Sequence, residues 1–447
     1  MNTPICDFVA RYCEKAPLRL HMPGHKGVPL LGFEARDITE IVGADSLYEA
    51  SGIILESERN ATSLFGSAHT FYSTEGSSLC IRAMLAMITR YAAEQGRPPV
   101  ILAARNVHKT FVTAAGLLDV DVEWLCPHAD ANLLSAPLDL TEIETRIEKI
   151  KPIALYLTAP DYLGALPDLA PIAKICHRHA VLLLVDNAHG AYLKFLPTSR
   201  HPLDLGADLV CDSAHKTLPA LTGAAYLHVS KNAPTALLAF ARDAMACFGS
   251  TSPSYLILQS LDALNVYLTG GYTQRLASAL SRFSAAHDTL TDHGYLLFGN
   301  EPLKWTVLTK PYGYDGFEFA DLLAKKGITC EFFDPDHTVF MLSPDFGDGD
   351  CDRLVDALCE IPRRAPIASR PPRAHLPERA CPIRQAMLGA RERIETDRAE
   401  GRVLASLQVS CPPAVPILVC GEVIDADAIE MFRYYGIRFC EVLRTLV

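Results

Sequence analysis

The chain has 447 residues, 49% of them hydrophobic and 21% charged, and carries a net charge of -11. This composition excludes extended disorder and predicts two or three domains around a large core. The acidic balance, with no lysine-rich or arginine-rich run, excludes a nucleic-acid surface as the main role and points to small molecules.

The opening stretch MNTPICDFVARYCEKAP has acidic residues early and lacks the unbroken apolar run of a secretory signal. The longest apolar runs, such as that around Val181 to Val185, are too short to cross a bilayer, so a cytoplasmic protein with no membrane partner is expected. Fourteen cysteines stand singly from Cys6 to Cys440 without a Cys-x-x-Cys pair, which reads as reduced core thiols. Two other groups invite a metal reading, His21 with His25 and Cys176 with His177 and His179. The second closes a predicted helix, where imidazoles suit the dipole. Asp348, Asp350 and Asp352 mimic a calcium loop, but Arg353 and Cys359 replace its glycine and closing glutamate, so a turn and helix start is expected. No metal is expected.

In chain order, a 1–45 N-terminal segment precedes a large 46–290 domain. Within it a helix over Ser77 to Glu94 is followed by short apolar strands at Val100 to Ala103, Val120 to Leu125, Ile153 to Thr158, Val181 to Asp186 and Leu209 to Asp212. Strands separated by helices predict an α/β fold, a mostly parallel sheet with helices on both faces. Ligands in such sheets sit beyond the carboxyl ends of the strands, which singles out Thr158, Asp186 and the segment from Asp212 to Lys216. A smaller α+β C-terminal domain is predicted over 291–447. Its elements are a helix over Phe317 to Lys325, strands at Thr329 to Phe333 and Thr338 to Leu342, and a helix over Arg353 to Cys359. Residues 361–382 are too rich in proline and arginine to hold helix or strand and read as a surface loop.

Lys216, in Ser213-Ala214-His215-Lys216-Thr217, follows a buried strand, where an ammonium is poor filling. It is either exposed beyond the strand or used, and a lysine in a cleft can bind a carbonyl covalently, as it does with pyridoxal phosphate. Asp186 ends an apolar strand about thirty residues earlier, where a carboxylate can keep a pyridine nitrogen protonated; a helix cap is the plainer alternative. Ser73-Thr74-Glu75-Gly76-Ser77-Ser78 opens the first long helix, and Gly76, Ser77 and Ser78 would seat a phosphate, although a simple N-cap would look similar. Glu75 should turn away from it. His108, in Arg105-Asn106-Val107-His108-Lys109, could stack on a flat ring at the cleft rim.

Together these segments resemble the fold-type I Orn/Lys/Arg decarboxylases, in their short form. The likeness includes His21-Met22-Pro23-Gly24-His25-Lys26-Gly27, Phe65-Gly66, Thr251-Ser252-Pro253-Ser254-Tyr255 and Cys411 to Pro416 leading to Gly421-Glu422. The resemblance implies an aspartate-aminotransferase-like fold and pyridoxal 5'-phosphate held by Lys216, with Asp186 at the ring nitrogen, His108 stacked on the ring and Ala188 beneath it. It places Ser77, Ser78 and Ser213 on the phosphate, His215 beside the lysine and Thr158 near substrate or cofactor. It also implies a homodimer with interface active sites, Thr251 reaching the partner's phosphate, and Glu422 meeting a cationic substrate side chain. The family's Pro-Pro-Gly-Ile-Pro reads Pro412-Pro413-Ala414-Val415-Pro416 here, its Pro-Gly-Glu reads Cys420-Gly421-Glu422, and Gly223 stands where many members have glutamine.

The expected reaction is decarboxylation of arginine, lysine or ornithine to a polyamine-type amine and carbon dioxide, with His215 or Lys216 returning a proton to the α-carbon. Transamination or elimination on the same scaffold is the rival, for which an arginine such as Arg402 would have to grip the α-carboxylate. A non-catalytic binding or regulatory paralogue would be marked by loss of Lys216, Asp186 or His108, and all three are present.

Overall fold

The computed structural model describes residues 1–125, 133–347, 349–407, 410–411 and 415–444. Its large sheet has seven strands: β1 (His69–Ser73), β2 (Val100–Ala103), β3 (Asp121–Trp124), β4 (Ala154–Thr158), β5 (Leu182–Asp186), β6 (Leu209–Asp212) and β7 (Ala225–Val229). Their order is β1-β7-β6-β5-β4-β2-β3. The β2–β3 and β5–β6 pairs are parallel, whereas β7 runs antiparallel to both β6 and β1. The five expected strands form within a residue of their expected ends. β1 and β7 were not expected, because His69, Thr70, Tyr226 and His228 interrupt the apolar signal that marks a buried strand.

Two compact units divide the chain, the first comprising Met1–Pro99, Ile153–Tyr156 and Leu169–Gln274. Its central helix, Gly76–Glu94, buries Leu79, Ile81, Met84, Leu85 and Ile88, and packs against β6, β7 and the Thr235–Ala246 helix. A helix apolar around most of its girth belongs inside a layered fold, so the end of this one is fixed firmly enough to serve as a seat.

The second unit comprises Val100–Pro152, Leu157–Asp168 and Arg275–Val447. It contains an antiparallel sheet of β8 (Leu297–Phe298), β9 (Lys304–Leu308), β10 (Phe332–Phe333) and β11 (His337–Met341), in the order β10-β11-β9-β8. Short pairs follow: β12 (Arg391–Glu395) with β15 (Phe439–Leu443), and β13 (Ser410–Cys411) with β14 (Val415–Pro416). Leu163, Phe332, Val339, Leu404, Ile424, Phe432 and Val442 share its core. The expected strand over Thr329 to Phe333 shrinks to Phe332–Phe333, an edge with a neighbour on one side only. Helices form at Gly316–Ala324 and Asp350–Cys359, as expected; Asp348 lies outside the described residues.

Residues 361–382 form no helix or strand, and a tyrosine ladder ties down their start. Tyr312 donates to the Ile361 carbonyl (3.0 Å) and Tyr314 to that of Pro362 (2.7 Å), while Arg364 pairs with Glu318. Among the described residues, no helix is long and apolar enough to cross a membrane.

Candidate active site

The parallel register puts Asp186, the last residue of β5, opposite Cys211 of β6, so the two strands end together. Asp186 is buried and accepts from the Tyr156 hydroxyl (3.4 Å), the Cys211 thiol (3.4 Å) and the Ala188 amide (3.2 Å). Three donors thus converge on one buried carboxylate. Burial and the neighbouring Asp186 charge push both the Tyr156 hydroxyl and the Cys211 thiol well above their usual ranges, so they remain proton donors.

Beyond β6, Ser213 leads into the short helix Ala214–Thr217 that carries Lys216. Lys216 is exposed, and its Nζ lies 3.0 Å from His189 Nε2. His215 turns its Nδ1 to the Ala224 carbonyl (2.9 Å), and burial lowers its pKa. The imidazole beside the lysine amine is therefore that of His189, a residue to which the sequence gave no role.

Ser213 Oγ donates to Ser77 Oγ at 3.0 Å, joining the strand end to the start of the Gly76–Glu94 helix. The residue at the N-cap, Glu75, makes no side-chain cap; its carboxylate instead accepts from the Ser250 amide (2.6 Å). It turns away from the helix axis as expected, and in doing so anchors the segment that contains exposed Thr251. The Gly223 carbonyl accepts from the Gly76 amide at 2.7 Å. Gly223 has φ +97°, and a Cβ there would lie 2.9 Å from the Thr74 carbonyl oxygen, so a residue with a side chain would not fit this backbone.

A buried polar network holds both strand ends from behind. Asp212 Oδ2 accepts from His201 Nε2 (2.9 Å) and His228 Nε2 (3.1 Å), and Oδ1 accepts from Asn187 Nδ2 (2.7 Å). Burial alone would raise the Asp212 pKa, but the two imidazoles reverse this and hold the carboxyl well below its ordinary value. His228 Nδ1 is in turn bonded to Thr70 Oγ1 at 2.8 Å, which accounts for a histidine in the middle of β7. Among the described residues these three could also approach a metal ion, yet the hydrogen bonds satisfy the carboxylate without one.

The second unit carries the remaining candidates. His108 caps the Lys109–Leu118 helix, its Nδ1 accepting from the Thr110 amide (3.2 Å) and bonded to Thr110 Oγ1 (2.9 Å). This fixes the ring's orientation. Thr158 Oγ1 is buried without a hydrogen-bond partner among the described residues. Glu422 is ion-paired: Arg105 Nη2 donates to its Oε2 at 2.7 Å, the Val419 amide donates to the same oxygen at 2.6 Å, and both side chains are buried. The pairing follows from burial, since a lone carboxylate there would be costly. Arg402 is engaged by Glu392 (2.6 Å) and the Leu443 carbonyl (2.8 Å). Pro412 to Ala414 of the altered motif lie outside the described residues.

These groups fit pyridoxal phosphate. The helix start without a side-chain cap, with serines on it and beside it, suits a phosphate; the buried, thrice-bonded acid suits a ring nitrogen; the exposed amine suits an aldehyde. In the same unit the buried Thr217 hydroxyl, without a hydrogen-bond partner among the described residues, can still donate or accept.

The fold is of the aminotransferase-like class. Ureidoglycine-glyoxylate aminotransferase from Bacillus subtilis is similar to it with a TM-score of 0.55 at 16% identity, over 68% of this chain and 83% of that one. The solved lysine decarboxylase A from Pseudomonas aeruginosa is more similar, with a TM-score of 0.80 at 19% identity over 97% and 75%. An arginine decarboxylase of Halalkalibacterium halodurans is 29% identical over 97% of this chain and 93% of its own length. Residues 3–294 match the Orn/Lys/Arg decarboxylase major domain and residues 367–442 its C-terminal domain. The chain belongs to the Orn/Lys/Arg decarboxylase family, and it is an amino-acid decarboxylase.

Proposed function

We propose that this protein is a pyridoxal-phosphate-dependent decarboxylase of a basic amino acid, with arginine the first substrate to test. The observation that carries the reading is a buried acid, an exposed amine and a helix-start seat brought to the ends of two neighbouring strands. Arginine comes first because the relative named for it matches nearly the whole chain, whereas a relative of Pseudomonas aeruginosa named lysine decarboxylase matches 50% of it at 26% identity.

When bound, pyridoxal phosphate supplies the electron sink for the pair left as carbon dioxide departs. Lys216 would hold the cofactor through its Nζ. Asp186 would pair with the ring nitrogen, and His108 and Ala188 are the residues proposed to contact the ring. Ser77, Ser78 and Ser213 hold the phosphate. His215, or Lys216 through its Nζ, returns a proton to the substrate α-carbon, and Thr158 offers its hydroxyl to substrate or cofactor. Glu422, paired with Arg105, is in this reading a buried structural support and not a direct ligand of the substrate's head group.

The working unit in this proposal is a cytoplasmic homodimer, with Thr251 reaching the partner's phosphate. In support, Leu18, Leu20, Leu30 and Leu31 are each more than three-quarters exposed, a density of apolar side chains that water tolerates poorly.

The test is incubation of the pure enzyme with arginine, lysine and ornithine, assaying carbon dioxide and amine together. Equal release of both from one substrate is expected. A keto acid product would overturn the reading.

A further inference from the structure

We infer that His189 is the base that activates Lys216 for covalent capture of an aldehyde cofactor. The inference rests on the cofactor reading above and assigns a step to a residue that reading leaves unused.

An amine nitrogen and an imidazole nitrogen 3.0 Å apart must share one proton between them. Lysine is an ammonium at neutral pH, a donor with no lone pair, so the imidazole Nε2 is the acceptor in the resting pair. Only the free amine attacks a carbonyl. A nucleophile held against a base, with the base itself positioned by surrounding structure, is the arrangement such activation requires.

The turn that carries His189 is held on several sides. The Gly190 amide donates to the Asn187 carbonyl at 2.7 Å, closing the turn, and Asn187 Nδ2 ties it to Asp212. A Cβ at position 190 would lie 1.9 Å from Asn187 Oδ1, so glycine is required for so close a return. Asp212 is gripped by His201 and His228 and directly precedes the segment leading to Lys216. The base and its nucleophile thus hang from the same buried carboxylate, one on each side.

The step balances without another reactant. His189 Nε2 takes one proton from the Lys216 ammonium as the freed Nζ pair forms a bond to the aldehyde carbon, and the carbonyl π pair moves to oxygen. With one proton from nitrogen and the one returned by the imidazole, that oxygen leaves as water while a C=N bond forms. His189 ends neutral, ready to act again.

The experiment uses full-length protein stripped of cofactor with hydroxylamine and then mixed with pyridoxal phosphate. Covalent attachment is followed by absorbance and by borohydride trapping, with mass spectrometry of the Lys216 peptide. His189→Ala should slow attachment at least tenfold, and added imidazole should restore a substantial part of the rate. Pyridoxine phosphate, which lacks the aldehyde, should bind parent and variant within about threefold; should the Ala variant fail to bind it, His189→Gln, which keeps bulk and a hydrogen-bonding group but is no base, takes its place. Attachment at the parent rate, or a slow rate that imidazole leaves unchanged, overturns the inference. Failure of the parent protein to label at Lys216 would instead overturn the cofactor reading.

Discussion

Lys216 and Glu422 show how neighbours decide what a charged side chain can do. Lys216 touches an imidazole and remains exposed, so its amine can react. Replacing it with Ala should abolish both the absorbance of lysine-bound cofactor and turnover; a reducible lysine adduct surviving elsewhere in the chain would refute the assignment. Glu422 is committed to Arg105 inside the second unit, and burial raises its pKa despite that cation. Glu422→Ala would strand a buried guanidinium and should cost about 3–5 kcal/mol in urea unfolding, whereas removing both partners with apolar replacements should cost much less. A direct substrate ligand would give a different result, a large rise in KM with little loss of stability.

Among the elements, the parallel β5–β6 pair and the Gly76–Glu94 helix do most to shape the site. Their junction depends on Gly223, whose carbonyl receives the Gly76 amide. Gly223→Ala should cost about 1–3 kcal/mol through its strained φ, and it should weaken cofactor retention measured by dialysis; unchanged retention would show that the seat does not need this carbonyl. The Asp212 network makes a further prediction about acid. A carboxyl depressed in the folded state contributes stability above its unfolded pKa of about 3.9 and loses it progressively below that. Parent protein should therefore lose stability steeply as pH falls below about 4, and Asp212→Asn should be less stable at neutral pH with a shallower acid limb in denaturant titrations. Parallel limbs would rule out this carboxyl as a source of the acid sensitivity.

For the molecule as a whole, the proposed dimer is expected to cover the exposed leucines near the N-terminus. Sedimentation velocity should give twice the chain mass, and Leu30→Asp with Leu31→Asp should shift the protein to monomer and lower its activity. A parent protein that sediments as a monomer with full activity would remove the dimer from the proposal.

Much of this was legible in the sequence because parallel strands buried on both faces are written as short apolar runs, and the residues just past their ends fall at the ligand edge. Asp186, Ser213 and Lys216 could be picked out that way, and ordered motifs carried the family. The partnerships were not legible. His189 meeting Lys216, Arg105 taking Glu422, and Asp212 binding two distant histidines join residues 27, 317 and up to 16 positions apart. Linear spacing marks a buried polar side chain only as an exception to the apolar pattern. Which groups come within hydrogen-bond reach to offset its desolvation is decided when the chain folds back on itself.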